Sequence, residues 1–333
     1  MKYDVEADWI LLYTCNFRCP YCFFPAPTLS DKIKMYGTAA QWREGFQATG
    51  RTWLLHITGG EPTLYPEFVD LCDELTQNNY LSINSNLSHH CIKIFVQRIN
   101  PERVHFINAA IHLEEREKHY SLNIFIERVH ELRDAKFNVL TSLVMTPHVV
   151  NNISTIYGQL EANGLFAIPK VIRGTYAGNH YPTSYSDEQR RIIYDHIIRA
   201  RQKYGSLLTG LGEPPTINMF SDDIFLKGVK DYRGRLCDAG YRFVKITPEG
   251  SVRRCESSRV FGNILSKGVR LSDAPELCDT SYCPYFCEKY SVEPGSYYAH
   301  LRVKMLNLHN VIQTEGCMKF VRMMASKLMK RLC

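Results

Sequence analysis

No apolar run in this chain reaches the roughly 18 residues that a membrane-crossing helix needs, which argues against a helical span. No sign of charge dominates. Lys and Arg total 40 against 34 Asp and Glu, a net charge of +6, too mild to imply a nucleic-acid partner. Low-complexity tracts and internal repeats are missing. Charged residues make up 22% and hydrophobic ones 45%, an ordinary balance that excludes disordered, collagenous and coiled-coil chains. The opening octapeptide, Met1-Lys2-Tyr3-Asp4-Val5-Glu6-Ala7-Asp8, is acidic and lacks the apolar centre of a signal peptide, so a cytoplasmic protein is expected. At 333 residues the chain is long enough to bury a core without disulfide staples. Two domains, or one large barrel with an appendage, are expected.

Cysteine is what the chain has in unusual amount, 12 in all. A long chain without an export signal more often uses clustered cysteines for metal or redox chemistry than for disulfides. They fall at positions 15, 19, 22, 72, 91, 237, 255, 278, 283, 287, 317 and 333. Three crowd the start, five share a late window, and none lies between Cys91 and Cys237. Two metal sites are the reading. Cys72 and Cys91 are expected to be small buried hydrophobes on helices.

Strand-like runs occur at Trp9–Thr14, Trp53–Thr58, Leu81–Ser85, Val104–Ala110, Asn138–Met145 and Ala167–Arg173. They are rich in Val, Ile, Leu and aromatics. Helical patterns separate them, including Pro66–Asn78, Ser121–Ala135 and Asn152–Asn163, the last stopped by Asn163-Gly164. Six β/α units predict an α/β fold, a partial (β/α)6 TIM-like barrel with its chemistry at the C-terminal strand ends. A long helix is expected over Asp187–Tyr204 after a cap region at Ser184-Tyr185-Ser186, and Gly205–Pro215 is the expected domain boundary. The expected division is residues 1–205, 206–295 and 296–333. The last of these is a basic helical tail with Phe320, Met323, Met324 and Leu328 near helical spacing. Its Met face is expected to pack on the barrel, with an anionic membrane or a partner protein as the alternative.

Cys15-Asn-Phe-Arg-Cys19-Pro-Tyr-Cys22 follows the first strand as C-x3-C-x2-C. Three thiolates on a tight loop suit three corners of a [4Fe–4S] cubane, with one iron open to an outside ligand. A structural zinc more often shows paired C-x2-C knuckles. The second strand ends in Thr58-Gly59-Gly60-Glu61-Pro62. Glycines there allow close backbone approach, and a carboxylate can accept from an ammonium group. In this arrangement the chain resembles the radical S-adenosylmethionine (SAM) superfamily. The resemblance implies that Cys15, Cys19 and Cys22 hold the SAM-binding cluster. It further implies that Tyr21 lies near the adenine and that Gly59, Gly60 and Glu61 bind the SAM amino group. SAM is then cleaved to methionine and a 5′-deoxyadenosyl radical, which takes a substrate hydrogen. Ser85-Asn86 ends the third strand where relatives often carry Thr-Asn-Gly, with Leu87 in place of the glycine. Ser85 and Asn108 are candidates for cofactor contact, the latter near the end of strand four. His112, a little further on, is a candidate catalytic residue.

Cys237-x12-Gly250-x4-Cys255 precedes Cys278-x4-Cys283-x3-Cys287. A turn at Pro248-Glu249-Gly250 would let a hairpin bring Cys237 and Cys255 together. This resembles the SPASM/twitch extension behind some radical SAM barrels. With five cysteines in range, one auxiliary [4Fe–4S] cluster is implied, on Cys237, Cys255, Cys283 and Cys287, with Cys278 as the alternative ligand. A structural zinc is the alternative occupant.

An auxiliary cluster suits an enzyme that oxidises, epimerises or decarboxylates a small polar substrate such as a sugar, aminoglycoside or nucleoside. At the sixth strand's exit, Arg173 is a candidate to grip an anion, and Tyr176 and His180 are candidates to donate a proton or hydrogen. The runner-up is a peptide-modifying maturase, disfavoured because about nine residues precede the first strand, too few for a leader-binding winged helix. A non-catalytic iron–sulfur or zinc protein is the reading of another class. A flavodoxin or ferredoxin is the reductant that the resemblance implies.

Overall fold

The computed structural model describes residues 2–119, 121–209, 219, 222–228, 231–255, 259–281, 283 and 291–292. Its first two-thirds alternates strands and helices. In chain order these are β1 (Val5–Leu12), α1 (Ala26–Leu29), α2 (Ala39–Gln47), β2 (Trp53–Gly59), α3 (Phe68–Thr76), β3 (Tyr80–Ser85), α4 (Ile92–Arg98), β4 (Val104–Ala110), α5 (Leu113–Lys118), α6 (Leu122–Asp134), β5 (Val139–Val144), α7 (Pro147–Asn151), α8 (Ile153–Ala162) and β6 (Ala167–Lys170). A hairpin of β7 (Gly174–Tyr176) and β8 (Asn179–Tyr181), then α9 (Asp187–Thr209) and α10 (Asp222–Leu226), lead to short strands. These are β9 (Leu236–Cys237), β10 (Phe243–Ile246), β11 (Ser251–Arg253), β12 (Val260–Asn263), β13 (Glu276–Leu277) and β14 (Ser291–Val292).

The main sheet runs β12-β11-β10-β1-β2-β3-β4-β5-β6. From β10 to β6 every pairing is parallel, as in a partial TIM barrel. β10 pairs with β1 in the register Glu6↔Phe243 to Trp9↔Ile246, so the C-terminal segment extends the barrel sheet. The contact is close. A Cβ added at Gly45 of α2 would lie 2.4 Å from the Ile264 carbonyl oxygen, and Lys267 pairs with Glu44 at 2.9 Å.

Period-two alternation decides what β1 buries. Val5, Ala7, Trp9 and Leu11 face outward, where Trp9 meets Trp42 (4.6 Å between centroids) and Phe46 (5.5 Å) of α2. Glu6 and Asp8 alternate with them and so face the barrel interior. Both are buried, which is why the strand begins four residues before the expected Trp9. At the interior's closed end, His56 Nε2 lies 3.2 Å from Glu6, and His56 Nδ1 bonds the Ser82 hydroxyl. These are the residue types of a hydrolytic triad, but exposures of 0%, 2% and 3% seal them from any substrate. They close the floor of the barrel.

Cys72 and Cys91 are buried, on α3 and immediately before α4. Cys287, Cys317, Cys333 and the tail from residue 296 lie outside the described residues, as does most of the expected boundary Gly205–Pro215. Among the described residues no helix is long and apolar enough to cross a membrane.

Candidate functional site

The cysteine loop leaves β1 and is braced from several sides. Within it, Arg18 donates to the carbonyls of Cys15 and Phe17 and to the Ser30 hydroxyl. Cys15 N–H donates to Leu29 O at 3.0 Å. From β2, Gly60 N–H donates to Leu12 O and Glu61 N–H to Thr14 O, each at 2.9 Å. The two glycines make this approach possible. A Cβ at Gly59 would stand 2.1 Å from Leu12 O, and one at Gly60 would stand 2.1 Å from Thr14 O. In this structure the pair therefore lets two backbones touch directly beneath the loop.

Glu61 is 1% exposed. Its Oε1 accepts from Thr63 N–H (3.1 Å), Thr63 O–H (2.5 Å) and Ser85 O–H (2.7 Å), and its Oε2 from Asn86 N–H (2.7 Å). Burial pushes its pKa up, and the four donors pull against that push. Glu61 thus ties the end of β2 to the end of β3. Ser85 belongs to this knot, and its hydroxyl also accepts from Leu87 N–H at 2.9 Å. Leu87 has φ 53°, the left-handed conformation that glycine adopts most easily. The β3 exit also reaches the loop, through Asn86 to Asn16 (3.0 Å) and Asn16 to Ser88 (2.7 Å).

The third brace is the start of α5. Glu115, 3% exposed, accepts from Arg18 N–H at 2.9 Å. Arg116, 1% exposed, donates to Ile111 O and Asn86 O and lies over the Phe125 ring at 4.2 Å. His112 sits between loop and helix, its Nδ1 3.4 Å from Cys19 Sγ and 3.2 Å from the Tyr21 hydroxyl. The structure brings His112 to the cluster loop. Tyr21 stacks on it and approaches Tyr176 of the hairpin, 6.3 Å between ring centroids. Tyr176 in turn donates to Glu114 at 3.2 Å, a residue that sequence reasoning passed over. Positive φ at both Ala177 and Gly178 is what a two-residue primed turn requires, and it folds Tyr176 back toward the mouth. His180, on the same hairpin, is exposed. Arg173 is engaged elsewhere, 3.3 Å from Asp222 and 3.7 Å above the Phe225 ring. Asp222 also receives Val171 N–H at 2.7 Å and Lys170 at 3.2 Å.

The thiols suit a cluster. Burial, then the charges of neighbouring acidic groups and thiols, pushes Cys15 to about 11 and Cys19 to about 12, and burial raises Cys22. Ionising three such thiols together calls for an electropositive group between them. Among the described residues no three His, Cys, Asp or Glu side chains stand close enough to hold a single ion. In the C-terminal segment Cys255, Cys278 and Cys283 pack against a buried nucleus of Cys237, Ala239 and Phe243. Arg254, 5% exposed, donates to the carbonyls of Ala239, Glu276 and Leu277 and fixes the walls of this cage. Cys278, the expected alternative ligand, stands in the cage among the described residues, while Cys287 lies outside them.

Residues 9–156 match the sequence model of the family described as the Radical SAM superfamily. The chain carries a radical SAM domain, the domain of an enzyme superfamily that binds a [4Fe–4S] cluster and SAM. No curated protein matches it. Among solved structures, anSMEcpe with bound AdoMet is similar at 14% identity and a TM-score of 0.51, over 78% of each chain. SuiB of Streptococcus suis bound to S-adenosylmethionine is similar at 13% identity and a TM-score of 0.51, over 79% of this chain and 64% of that one. At these identities the likeness is one of fold.

Proposed function

We propose that the chain is a radical SAM oxidoreductase acting on a small polar molecule, a sugar, aminoglycoside or nucleoside. In this reading the C-terminal segment holds a second [4Fe–4S] cluster on Cys237, Cys255 and two of Cys278, Cys283 and Cys287. The observation that carries the substrate class is the polar lining of the barrel. Branched apolar side chains normally fill such an interior. Here, by strand register, Asp8, Thr58, Asn84, Asn108, Ser142 and Lys170 stand among the inward positions beside the apolar Ile10, Phe106, Leu140 and Ile168. Asn108 donates to Asn84 at 2.5 Å and Asn84 to Thr58 at 3.4 Å. This leaves Asn108 Oδ1 buried with no partner among the described residues. An orphan acceptor of this kind costs about 1–3 kcal/mol, and a ligand hydroxyl or amine would satisfy it.

When bound, the cluster on the cysteine loop supplies the electron that cleaves SAM to methionine and a 5′-deoxyadenosyl radical. Cys15, Cys19 and Cys22 would hold it, and Tyr21 and Tyr176 would wall the mouth. Removal of one substrate hydrogen atom becomes a two-electron oxidation when a proton and a second electron also leave. Glu114, held by Tyr176, would take the proton, and the cysteines of the C-terminal cage would hold the group that accepts the electron.

The test is anaerobic reconstitution followed by metal analysis and a labelled-substrate screen. Two cubanes predict about eight irons per chain, and substrate oxidation is expected to consume one SAM per product. About four irons per chain would remove the second cluster. Turnover of peptides with none of small polyhydroxy or amino compounds would overturn the substrate class.

A further inference from the structure

His112 is strained in place. Its φ of 50° and ψ of 58° are left-handed, a conformation that costs an ordinary residue about 1–2 kcal/mol. Such strain persists only where the surroundings enforce it. Here the bonds from Arg18 N–H to Glu115 and from Arg116 to Ile111 O and Asn86 O anchor the turn on both sides. The imidazole is fixed as well. It stacks on Tyr21 at 17° between planes and meets Phe17 edge-on at 86°. What this holds in place is one contact, Nδ1 at 3.4 Å from Cys19 Sγ. The Tyr21 hydroxyl lies beside the same nitrogen, at 3.2 Å. Cys15 Sγ, by comparison, accepts from the backbone N–H of Phe17 at 3.4 Å.

We propose that His112 is a positioning residue for the electron. Its Nδ1–H donates to the Cys19 sulfur and raises the reduction potential of the cluster on the cysteine loop. The proposal rests on the reading of that loop as the SAM-binding cluster site. Reduction adds a negative charge that spreads onto the ligand sulfurs. A donor at a sulfur therefore stabilises the reduced form more than the oxidised one, and hydrogen bonds to sulfur are among the levers that set cluster potentials. A fixed ring also keeps the donor aimed through both redox states, which a mobile side chain would not do.

The experiment is a redox titration of the anaerobically reconstituted full chain, followed by electron paramagnetic resonance (EPR) on the signal that changes when SAM is added. His112→Gly is the variant of choice. Glycine adopts the left-handed backbone without a steric cost, and it has no side chain to donate to the sulfur. The expected result is a tenfold lower fraction reduced at a fixed potential, about 59 mV more negative for one electron, at unchanged iron content. An unchanged midpoint in His112→Gly overturns the proposal. If that variant fails to take up iron, 15N-histidine labelling of the wild-type chain decides. One weak nitrogen coupling to the reduced cluster supports the donor, and none overturns it. If the wild-type chain assembles no SAM-responsive cluster, the underlying reading fails, and this proposal fails with it.

Discussion

Gly60→Ala probes the junction on which the cysteine loop stands. The added Cβ would lie 2.1 Å from Thr14 O and 2.4 Å from Tyr13 O. Real Cβ contacts essentially never fall below 3.0 Å, so one backbone must retreat by about 0.9 Å. Neither obstacle is a flexible side-chain tip. Both are carbonyls of the segment that runs directly into Cys15, and the retreat stretches the 2.9 Å bond from Glu61 N–H to Thr14 O. Overpacking costs about 1–3 kcal/mol, and the weakened hydrogen bond adds about 1 kcal/mol. The loss of function should exceed the loss of stability, because a displacement of about 1 Å at a reacting centre can lower a rate roughly 100-fold. Gly158→Ala is the control. Gly158 lies in α8 with nothing within 4 Å of its added Cβ, so alanine should stabilise by up to about 1 kcal/mol. The assay compares iron content, thermal unfolding and the rate of 5′-deoxyadenosine formation in the two variants. Gly60→Ala enzyme that holds its cluster and cleaves SAM at the wild-type rate would refute the bracing role of the glycines.

Glu61→Gln exchanges an acceptor for a group that must point an amide N–H at existing donors. A loss of about 2–4 kcal/mol in unfolding free energy is expected, read by denaturant titration, and a change within error would mean that the four-donor knot is not formed. Arg254→Ala leaves three carbonyls, that of buried Ala239 among them, without this donor. It should strip iron from the C-terminal cage while SAM cleavage continues, and a variant with its full iron complement would argue against the cage. Cys255→Ala should likewise lower the iron content and spare uncoupled SAM cleavage. Cys72→Ala, altering a fully buried residue away from both groups of thiols, should lower stability by about 1 kcal/mol and leave iron unchanged.

What was legible in the sequence was local. C-x3-C-x2-C and the Gly-Gly-Glu turn are short motifs whose meaning lies in their spacing, and helix and strand periodicities repeat within a dozen residues. Contacts across long separations were not legible. Nothing in Phe243–Ile246 announces that it pairs with β1, and nothing near His112 announces Cys19, which lies 93 residues away. The start of β1 was hidden because Glu6 and Asp8 read as surface residues, whereas they line the barrel interior. One missed element did carry a signal. Thr38 and Gln41 form a reciprocal capping box at the head of α2, the Thr-x-x-Gln pattern that marks a helix start. The reading of Arg173 as an anion grip followed from its position at the strand exit, but a residue at a rim can be turned to a neighbouring carboxylate, and Asp222 and Phe225 hold this one. By spacing Cys278 ranked behind Cys283 and Cys287 as the alternative ligand, and the pairing of β13 with β9 carries it into the cage.

The central claim is that the three-cysteine loop holds a cluster that cleaves SAM. The most direct measurement is 5′-deoxyadenosine formation by the anaerobically reconstituted full chain with dithionite and SAM, beside Cys15→Ala. The account predicts 5′-deoxyadenosine from the wild-type chain and none above background from Cys15→Ala. No 5′-deoxyadenosine from wild-type protein with its full iron complement, or equal amounts from both, would contradict it.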